Sequence, residues 1–253
     1  MPKTVWITGA SSGIGQEFAR RYAAMGCRLI LTARRVDRLE ALAAELGTPC
    51  RILPADLADE ADCARLCREL EGEKLDIFIN NAGFGVCGSY LETDPAREEQ
   101  MVQVNVCAMA RLFRFAVRKM HAAGGGTVLN VASSAGLLPG GPYMAGYYAS
   151  KAYVVSLTRG VAEELRQQRS PVYVCALCPG PVNTEFNDRA GVVFALRGIS
   201  PQLCVDEALR GMLHHRTIIV PSAFMRACTT AQRLVPMPLL MPIVARQQKK
   251  KLG

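Results

Sequence analysis

A glycine-rich turn between an apolar strand and a helix sets the strongest limit on how this chain can fold. The β-branched run at Thr4–Thr8 predicts a buried strand. Gly9, Gly13 and Gly15 follow it at once, ahead of apolar residues at helical spacing. Glycines allow a main chain to approach a pyrophosphate, and a helix N-terminus offers free N–H groups and a positive dipole. The turn therefore predicts a dinucleotide phosphate site, whose expected contacts are Gly9, Ser11, Ser12, Gly13 and Ile14.

Two arginines stand where a site for NAD usually has an acid. The second predicted strand is Arg28–Thr32, and the chain then reads Ala33-Arg34-Arg35. An Asp or Glu at this strand end would bond the ribose hydroxyls of NAD, whereas guanidiniums suit a 2′-phosphate through paired hydrogen bonds. Arg34 and Arg35 therefore predict NADP(H) as the cofactor, with a solvated surface pair as the alternative.

Strands and helices alternate at short spacing along the 253 residues. This alternation predicts an α/β fold with a doubly wound sheet of about seven parallel strands and helices on both faces. No internal repeat divides the chain. We therefore expect one domain over 1–253, with a core at 3–221 and a helical, apolar extension at 222–253.

Polar and small residues gather at the carboxyl ends of the predicted strands. Ligands bind at these ends in open α/β sheets, so such residues are candidates for a binding site. They are Asp56 and Leu57 after the third strand, Asn81, Ala82 and Gly83 after the fourth, Ser133 and Ser134 after the fifth, and Pro179, Gly180, Val182 and Thr184 after the sixth.

Tyr147 and Lys151 stand four residues apart on a predicted helix, and that spacing puts both side chains on one face. A free tyrosine has a pKa of about 10, and a fixed ammonium nearby favours the phenolate. The pair could therefore be a proton donor and the group that adjusts its pKa. Asn105 is a poor helix former inside a long apolar helix predicted over 96–122. It is either a further site residue or a satisfied buried amide.

In order and spacing, these motifs resemble those of the short-chain dehydrogenase/reductase family. The resemblance runs from residue 3 to about 221. The family's Thr-Gly-x-x-x-Gly-x-Gly stands at 8–15, Asn-Asn-Ala-Gly at 80–83, Ser-x-x-Gly at 133–136 and Tyr-x-x-x-Lys at 147–151. The resemblance implies a Rossmann-type fold. It also implies an NADP(H)-dependent oxidoreductase that transfers a hydride between nicotinamide and a carbonyl or secondary alcohol.

The resemblance also implies a role for each site residue. Tyr147 would exchange the proton, and Lys151 would lower the pKa of Tyr147 and bond the nicotinamide ribose. Ser133 would stabilise charge on the substrate oxygen. The interval from Ser133 to Tyr147 is one residue longer than usual, which keeps Ser134 as an alternative. We prefer Ser133 because loop insertions cost little. Asn105 would hold a water in the proton relay, Thr184 with the Pro179-Gly180 turn would orient the carboxamide, and Asp56 and Asn81 would frame the adenosine.

The substrate pocket is expected to be lined by the segments 85–95, 137–146 and 185–200. Apolar side chains dominate there, and Arg189 and Arg197 are the only candidate clamps for a carboxylate or phosphate. We therefore expect a fairly apolar carbonyl or alcohol as the substrate. The expected lining residues are Phe84, Val86, Leu138, Met144, Phe186, Val193 and Phe194.

The composition disfavours several other classes. The formal net charge is +8, but Lys and Arg do not interleave with aromatic residues as in a single-strand channel, so we expect no nucleic-acid partner. Cysteines within apolar runs are typical of buried reduced thiols and predict a cytoplasmic setting. Cys175 and Cys178 have Cys-x-x-Cys spacing. With only three histidines no second ligand pair appears, and we expect no metal site.

The tail at 235–244 is apolar, is interrupted by Pro236, Pro238 and Pro242, and is too short to span a bilayer. We expect it to pack on the protein or on another subunit. The alternative is a membrane surface, where the lysines at 249–251 would meet anionic lipid. We also expect a homodimer or homotetramer.

Two other functions fit the same motifs. A non-catalytic, dinucleotide-sensing regulatory module could use this fold, because fold alone does not determine function. The presence of Asn105, Ser133, Tyr147 and Lys151 together argues against it. An isomerase or dehydratase that uses the hydride internally would show no net change in the absorbance of reduced nicotinamide.

Overall fold

The computed structural model describes residues 2–186 and 198–249 of the chain. Its centre is a sheet of buried strands, because helices cover both faces. In chain order the strands are β1 (Thr4–Thr8), β2 (Arg28–Thr32), β3 (Cys50–Ile52), β4 (Ile77–Asn80), β5 (Gly126–Val131), β6 (Val172–Leu177) and β7 (Ile218–Ile219).

Neighbouring strands of the sheet run parallel, in the order β3-β2-β1-β4-β5-β6-β7. The chain moves outward from β1 to β3, crosses back to place β4 beside β1, and then continues outward on the other side. Loops therefore leave β1 and β4 in opposite directions and open a crevice, which is the usual ligand position in open α/β sheets. The prediction of a doubly wound α/β fold with seven parallel strands is confirmed.

Side chains alternate between the two faces of the sheet, and each face has its own core. Trp6 and Phe78 stack on one face with ring centroids 4.1 Å apart, while Ile7 and Leu29 enter the core on the other. Strands buried on both sides need apolar residues in both alternating sets. In chain order the helices are α1 (Gly13–Ala24), α2 (Val36–Leu46), α3 (Glu60–Glu69), α4 (Pro95–Val102), α5 (Met109–Ala122), α6 (Ala145–Gln167), α7 (Pro201–Leu213), α8 (Ala223–Ala231) and α9 (Met237–Lys249).

A π-helical turn, Gln103–Ala108, joins α4 to α5. The sequence predicted one regular helix over 96–122, and the structure keeps the helix but widens it at this turn. Asn105 lies inside the turn and is buried. Single π turns inside α-helices are frequent at functional sites. This one places the Asn105 amide between the segment that follows β4 and α6.

The C-terminal extension folds as α8 and α9, joined by a 3-10 turn at Gln232–Leu234. The sequence predicted a segment broken by prolines, yet α9 runs through Pro242. Pro238 lies in the first helical turn, where an N–H has no intrahelical partner to lose, and Pro242 removes one bond inside the helix. Within residues 2–186 and 198–249, no helix combines the length and hydropathy that a membrane span requires.

Candidate active site

The turn after β1 folds back over the start of α1. Gly9 and Gly13 adopt φ values of +64° and +57°, a left-handed conformation that favours glycine. A Cβ on Gly13 would stand 3.0 Å from Thr184 Cγ2, so its absence lets the loop after β6 approach the turn. The N-terminus of α1 faces a cavity at the carboxyl ends of the strands, and this position fits a pyrophosphate. The predicted phosphate contacts all line this cavity: Gly9, Ser11, Ser12, Gly13 and Ile14.

Asn81 ties the end of β4 to the end of β1. Its amide nitrogen donates to the carbonyl oxygens of Thr8 at 2.9 Å and Gly9 at 3.2 Å. The Thr8 hydroxyl accepts from the main-chain N–H groups of Asn81 and Ala82 at 3.0 and 3.1 Å. Asn81 therefore cross-links these two neighbouring strands. The other residues expected near the adenosine, Asp56, Leu57, Ala82 and Gly83, line the same cavity.

Arg34 and Arg35 line the cavity at the end of β2. Arg35 donates from Nη2 to the Ser11 hydroxyl at 3.2 Å, which holds the guanidinium against the phosphate turn. Arg34 is half-exposed and lies 3.7 Å from Asp56. A guanidinium has five N–H donors, so these contacts leave capacity for phosphate oxygens. The arrangement fits a 2′-phosphate beside the pyrophosphate turn.

Glu185 and Arg38 are part of this charged end, and the sequence analysis did not assign either of them. Glu185 accepts from Arg35 Nη1 at 3.1 Å and also pairs with Arg38. Hydrogen bonds from Arg38, and then from Arg35, hold the pKa of Glu185 below its usual value, so the side chain stays ionised. Arg38 could have been assigned to this end of the cavity from the sequence, because it stands one helical turn after Arg35. Glu185 offered no signal, because its contacts span about 150 residues of sequence.

Asn80, Asn130 and Thr158 form a buried chain of hydrogen bonds that fixes α6 against the sheet. Asn80 Nδ2 donates to Asn130 Oδ1 at 3.0 Å, and Asn130 Nδ2 donates to the Thr158 hydroxyl at 2.9 Å. Gly136 packs so tightly on α6 that a Cβ would lie 2.3 Å from the Lys151 carbonyl oxygen. These contacts set the position of α6, and therefore the position of its polar side chains at the strand ends.

Tyr147 and Lys151 lie on one face of α6, as their spacing predicts, and both are buried. Lys151 Nζ donates to the Val131 carbonyl at 2.9 Å and stands 5.9 Å from the centroid of the Tyr147 ring. The Ser133 side chain faces the Tyr147 hydroxyl and lowers the pKa of Tyr147. Of the two serines that the sequence left open, the structure thus places Ser133 against the tyrosine, whereas Ser134 begins a 3-10 turn.

Burial dominates the acid–base properties of this pair. It raises the pKa of Tyr147 to about 12, and the hydrogen bond with Ser133 opposes the rise. Burial also lowers the pKa of Lys151 to about 8, while Cys178 acts in the opposite direction. In this structure the Ser133 side chain lowers the pKa of Tyr147 but does not offset burial. The expected effect of Lys151 on the same pKa stays a prediction.

Asn105 makes hydrogen bonds with both ends of its amide. Nδ2 donates to the Phe84 carbonyl at 2.8 Å and to the Ser150 hydroxyl at 3.0 Å, and Oδ1 accepts from the Phe84 N–H at 3.1 Å. A Cβ on Gly83 would lie 2.8 Å from Asn105 Oδ1 and 3.2 Å from Lys151 Nζ. The amide thus holds the segment after β4 beside the lysine. The implied role of Asn105 in holding a water stays a prediction.

The cavity has a volume of about 650 Å³, and its lining includes both the arginines and Tyr147. Near Tyr147 the wall is apolar. The Phe186 ring lies 5.5 Å from the Tyr147 ring, centroid to centroid. Of the predicted lining residues, Phe84, Leu138, Met144 and Phe186 line the cavity near Tyr147. Val86 packs in the same apolar cluster but does not line the cavity, nor does any other residue of the predicted segment 85–95. The other predicted lining residues, Arg189, Val193, Phe194 and Arg197, lie outside the described residues.

The C-terminal extension supplies a further part of the wall. Gln232 Nε2 donates to the Leu137 carbonyl at 2.7 Å and ties the extension to the loop after β5. Leu240 and Val244 are buried on one face of α9. Their spacing of four would mark an inward face, but the prolines argued against a helix. Lining residues from the extension include Phe224, Met225, Cys228, Leu240, Val244 and Gln248.

The remaining predicted contacts from the loop after β6 also line the cavity. Pro179, Gly180, Val182 and Thr184 follow β6 in order, and the Pro179 carbonyl accepts from the Ser134 N–H at 2.8 Å. Cys175 and Cys178 are buried nearby, and burial raises the pKa of both thiols to about 12. Among the residues that the structure describes, no cluster of His, Cys, Asp and Glu could hold a metal ion.

Comparison with known sequences places this site within one family. A family model described as short chain dehydrogenase matches residues 3–191. The galactitol 2-dehydrogenase (L-tagatose-forming) of Cereibacter sphaeroides is 40% identical over 184 residues, which cover 71% of this chain and 71% of that protein. The matching model therefore spans β1 to β6 and all four candidate catalytic residues, Asn105, Ser133, Tyr147 and Lys151.

Two solved structures have the same architecture. The short-chain dehydrogenase from Sphingobium yanoikuyae in complex with NADPH is 34% identical, with a TM-score of 0.84, over 95% of this chain and 96% of that one. The short chain dehydrogenase/reductase from Burkholderia phymatum in complex with NAD is 27% identical, with a TM-score of 0.82, over 90% of this chain and 92% of that one. The chain therefore belongs to the short-chain dehydrogenase/reductase family of oxidoreductases, whose members use a nicotinamide dinucleotide.

Proposed function

We propose that this enzyme uses NADP(H) to reduce a bulky, apolar ketone or to oxidise the corresponding secondary alcohol. The observation that carries the proposal is the distribution of charge along the cavity. Within the described residues, the charged side chains of the lining are Arg34, Arg35, Asp56 and Lys151. The first three belong to the ends of β2 and β3, so a substrate beside Tyr147 meets mostly carbon atoms.

The residues around Tyr147 move one proton in this proposal. During reduction the Tyr147 hydroxyl donates its proton to the carbonyl oxygen as negative charge develops there. Ser133, whose side chain faces that hydroxyl, stabilises the same oxygen. Lys151 is held by the Val131 carbonyl, and its ammonium favours the phenolate that remains. When bound, the nicotinamide supplies or accepts the hydride.

The preference for NADP(H) is proposed to come from Arg34 and Arg35. A 2′-phosphate adds negative charge and acceptor oxygens, and charge-assisted bonds to guanidinium groups are among the stronger hydrogen bonds. The relatives do not decide the matter, because one was solved with NADPH and another with NAD. The support is local: Arg35 is anchored on Ser11, in the phosphate turn itself.

A sugar alcohol is the second candidate substrate, favoured by the galactitol 2-dehydrogenase relative. A polyol carries a hydroxyl on each carbon, and each hydroxyl that enters the cavity loses its hydrogen bonds to water. The wall around Tyr147 offers few polar partners in return, because it consists of side chains such as Met144, Leu138 and Phe186. We therefore rank the polyol below the apolar ketone.

Initial rates distinguish these candidates. Bulky aryl and alicyclic ketones are assayed with NADPH and with NADH, and galactitol is assayed with the oxidised cofactors, all at the absorbance band of reduced nicotinamide. We expect the highest kcat/KM for a bulky ketone with NADPH. Turnover of galactitol without ketone reduction would replace the first candidate by the second. Equal affinity for NADPH and NADH would contradict the cofactor assignment, and cofactor binding without any turnover would support a sensing module.

A further inference from the structure

The last helix, α9, carries a buried polar atom without a hydrogen-bond partner. Gln248 is 6% exposed, and its amide nitrogen donates to the Tyr148 hydroxyl. Its amide oxygen has no partner among the residues that the structure describes. Native proteins contain few buried acceptors of this kind, and each of them needs an explanation such as a ligand or an ordered water.

The amide lies in an otherwise aliphatic stripe. Leu240, Val244 and Gln248 follow each other at a spacing of four, which puts them on one face of α9. All three are buried and line the cavity. An aliphatic residue at position 248 would continue the stripe but would leave the Tyr148 hydroxyl without this partner. The bond to Tyr148 therefore explains the amide nitrogen of Gln248, and it leaves the amide oxygen unexplained.

Tyr148 supplies a second polar group at the same place. It follows Tyr147 on α6, with ring centroids 6.4 Å apart, and it also lines the cavity. Burial raises the pKa of Tyr148 well above its usual value, so the hydroxyl keeps its proton. The Tyr147 hydroxyl faces Ser133, whereas the Tyr148 hydroxyl bonds Gln248. The two tyrosines are thus placed to contact different groups of one ligand.

A hydroxyl group is the ligand that matches this pair. The Tyr148 hydroxyl accepts from the Gln248 nitrogen and keeps its own proton to donate, while the Gln248 oxygen can accept. A ligand hydroxyl both accepts and donates, so it can bond to both side chains. If the amide were turned over, Gln248 would offer an N–H instead, and a hydroxyl would satisfy that group as well.

We propose that Gln248 and Tyr148 form a subsite for a second, non-reacting hydroxyl of the substrate. The substrate class is then an apolar hydroxyketone, or the matching diol, in which a carbon framework separates this hydroxyl from the reacting carbon. The inference rests on the proposed reduction of a bulky ketone and names a feature of its substrate. It also gives the C-terminal extension a role in recognition, beyond closing the cavity.

A matched pair of ketones tests the subsite. Benzylacetone and its para-hydroxy derivative differ only in a hydroxyl remote from the carbonyl. We expect wild-type enzyme with NADPH to prefer the hydroxylated ketone by about 10–100-fold in kcat/KM. Gln248→Leu should bring this ratio close to one, and Tyr148→Phe should lower it. Gln202→Leu makes the same chemical change at an exposed position of α7 and should keep the wild-type ratio.

Two outcomes would overturn the subsite: a wild-type ratio near one, or an undiminished ratio in Gln248→Leu. A bound water would then be the partner of the amide. NADPH binding, followed by nicotinamide fluorescence, verifies that each variant is folded. If wild type reduces neither ketone, the proposed function fails for this class, and calorimetry on the NADP-loaded enzyme decides the subsite separately. The hydroxylated ketone must then bind more tightly than benzylacetone to wild type and not to Gln248→Leu.

Discussion

The two sides of the cavity are built in different ways. The cofactor side consists of short loops at strand ends, where bonds such as that from Asn81 to the Thr8 carbonyl fix the main chain. The substrate side consists of side chains from α6, from the segment after β6 and from α8 and α9. Leu234 and Leu239 of the same extension are exposed. Sheet geometry thus determines the cofactor side, whereas the choice of side chains determines the substrate side.

Charge divides the cavity along the same line. Arg34, Arg35 and Arg38 stand at the cofactor side, with Glu185 between Arg35 and Arg38. The substrate side relies on neutral polar groups such as the buried Gln248 amide. If the two sides are independent, a change on one side should alter binding of its own ligand and leave the other ligand unaffected. Tyr147 stands at the boundary and should affect catalysis without affecting either binding step.

The largest expected effect comes from Tyr147→Phe at that boundary. Loss of the hydroxyl removes the group that exchanges the proton, and general acid–base groups typically contribute about 10²–10⁴-fold to rate. We expect kcat to fall by that factor, measured with the best ketone of the panel, while NADPH affinity from fluorescence titration stays close to wild type. Tyr153→Phe, an exposed tyrosine on the same helix, is the matched control. Turnover near the wild-type level would remove Tyr147 from the mechanism.

The fold and the cofactor side could be predicted because local sequence determines them. A turn such as Gly9 to Gly13 needs left-handed backbone, and strand ends at the switch point of a parallel sheet converge whatever the intervening helices contain. These are short-range or topological properties, which a pattern of residues expresses directly.

The substrate side could not be predicted in the same way, because long-range packing determines it. Glu185 meets Arg35 across 150 positions of sequence, and Gln248 meets Tyr148 across 100. The prolines in the tail disfavoured a helix, yet tertiary packing maintains α9 through Pro242. The burial of Tyr147 could not be predicted for a related reason, because spacing along a helix reveals a neighbouring lysine but not how deeply the pair is buried.

The Arg34→Ala/Arg35→Ala double variant tests the charge of the cofactor side. It removes the guanidiniums proposed to bind the 2′-phosphate, and hydrogen bonds to charged groups typically contribute about 1.5–3 kcal/mol. We expect NADPH affinity to weaken by about 10–100-fold, with little change for NADH, in fluorescence titrations of both cofactors. Arg166→Ala, at an exposed ion pair on α6, is the control. An equal loss of NADH affinity would mean that the arginines stabilise the phosphate turn rather than bind the 2′-phosphate.

Lys151→Met tests the effect of burial on the pKa of Lys151, which lies at the boundary between the two sides. Burial lowers the pKa of Lys151 to about 8, from its usual 10.5. Between these values the unfolded chain holds a proton that the folded chain has released, so stability rises with pH in this window. The slope for one proton is at most about 1.4 kcal/mol per pH unit. Without cofactor, the free energy of unfolding of wild type should therefore rise relative to that of Lys151→Met as pH increases from 8 to 10.5.

Urea denaturation at several pH values within this window measures that difference. Only the slope is compared, because the substitution also removes the bond to the Val131 carbonyl and thus shifts stability at every pH. Tyr147 and Cys178 are present in both proteins, so their contributions to the slope cancel when the two proteins are compared. Parallel stability curves would show that Lys151 keeps an ordinary pKa in the folded state, and that water or an anion reaches it.

Glu185→Gln has the smallest expected effect, yet it tests most directly whether the cofactor side and the substrate side are independent. The Glu185 carboxylate contacts Arg35, while the next residue, Phe186, packs on Tyr147 with ring centroids 5.5 Å apart. A 2′-phosphate must compete with this carboxylate, and exposed ion pairs contribute up to about 1 kcal/mol. We therefore expect NADPH to bind about 2–5-fold more tightly to the variant, with NADH unchanged. Glu163→Gln, at an exposed pair on α6, is the control.

The ketone KM of Glu185→Gln then shows whether the two sides are separate. An unchanged KM, together with tighter NADPH binding, means that Glu185 acts only on the cofactor side. A KM that changes together with NADPH affinity means that the chain from Thr184 to Phe186 couples the two sides, so cofactor choice influences the substrate wall. Weaker NADPH binding would contradict the competition, because Glu185 would then be needed to hold Arg35 and Arg38 in position. Each result identifies a different physical role for the same carboxylate.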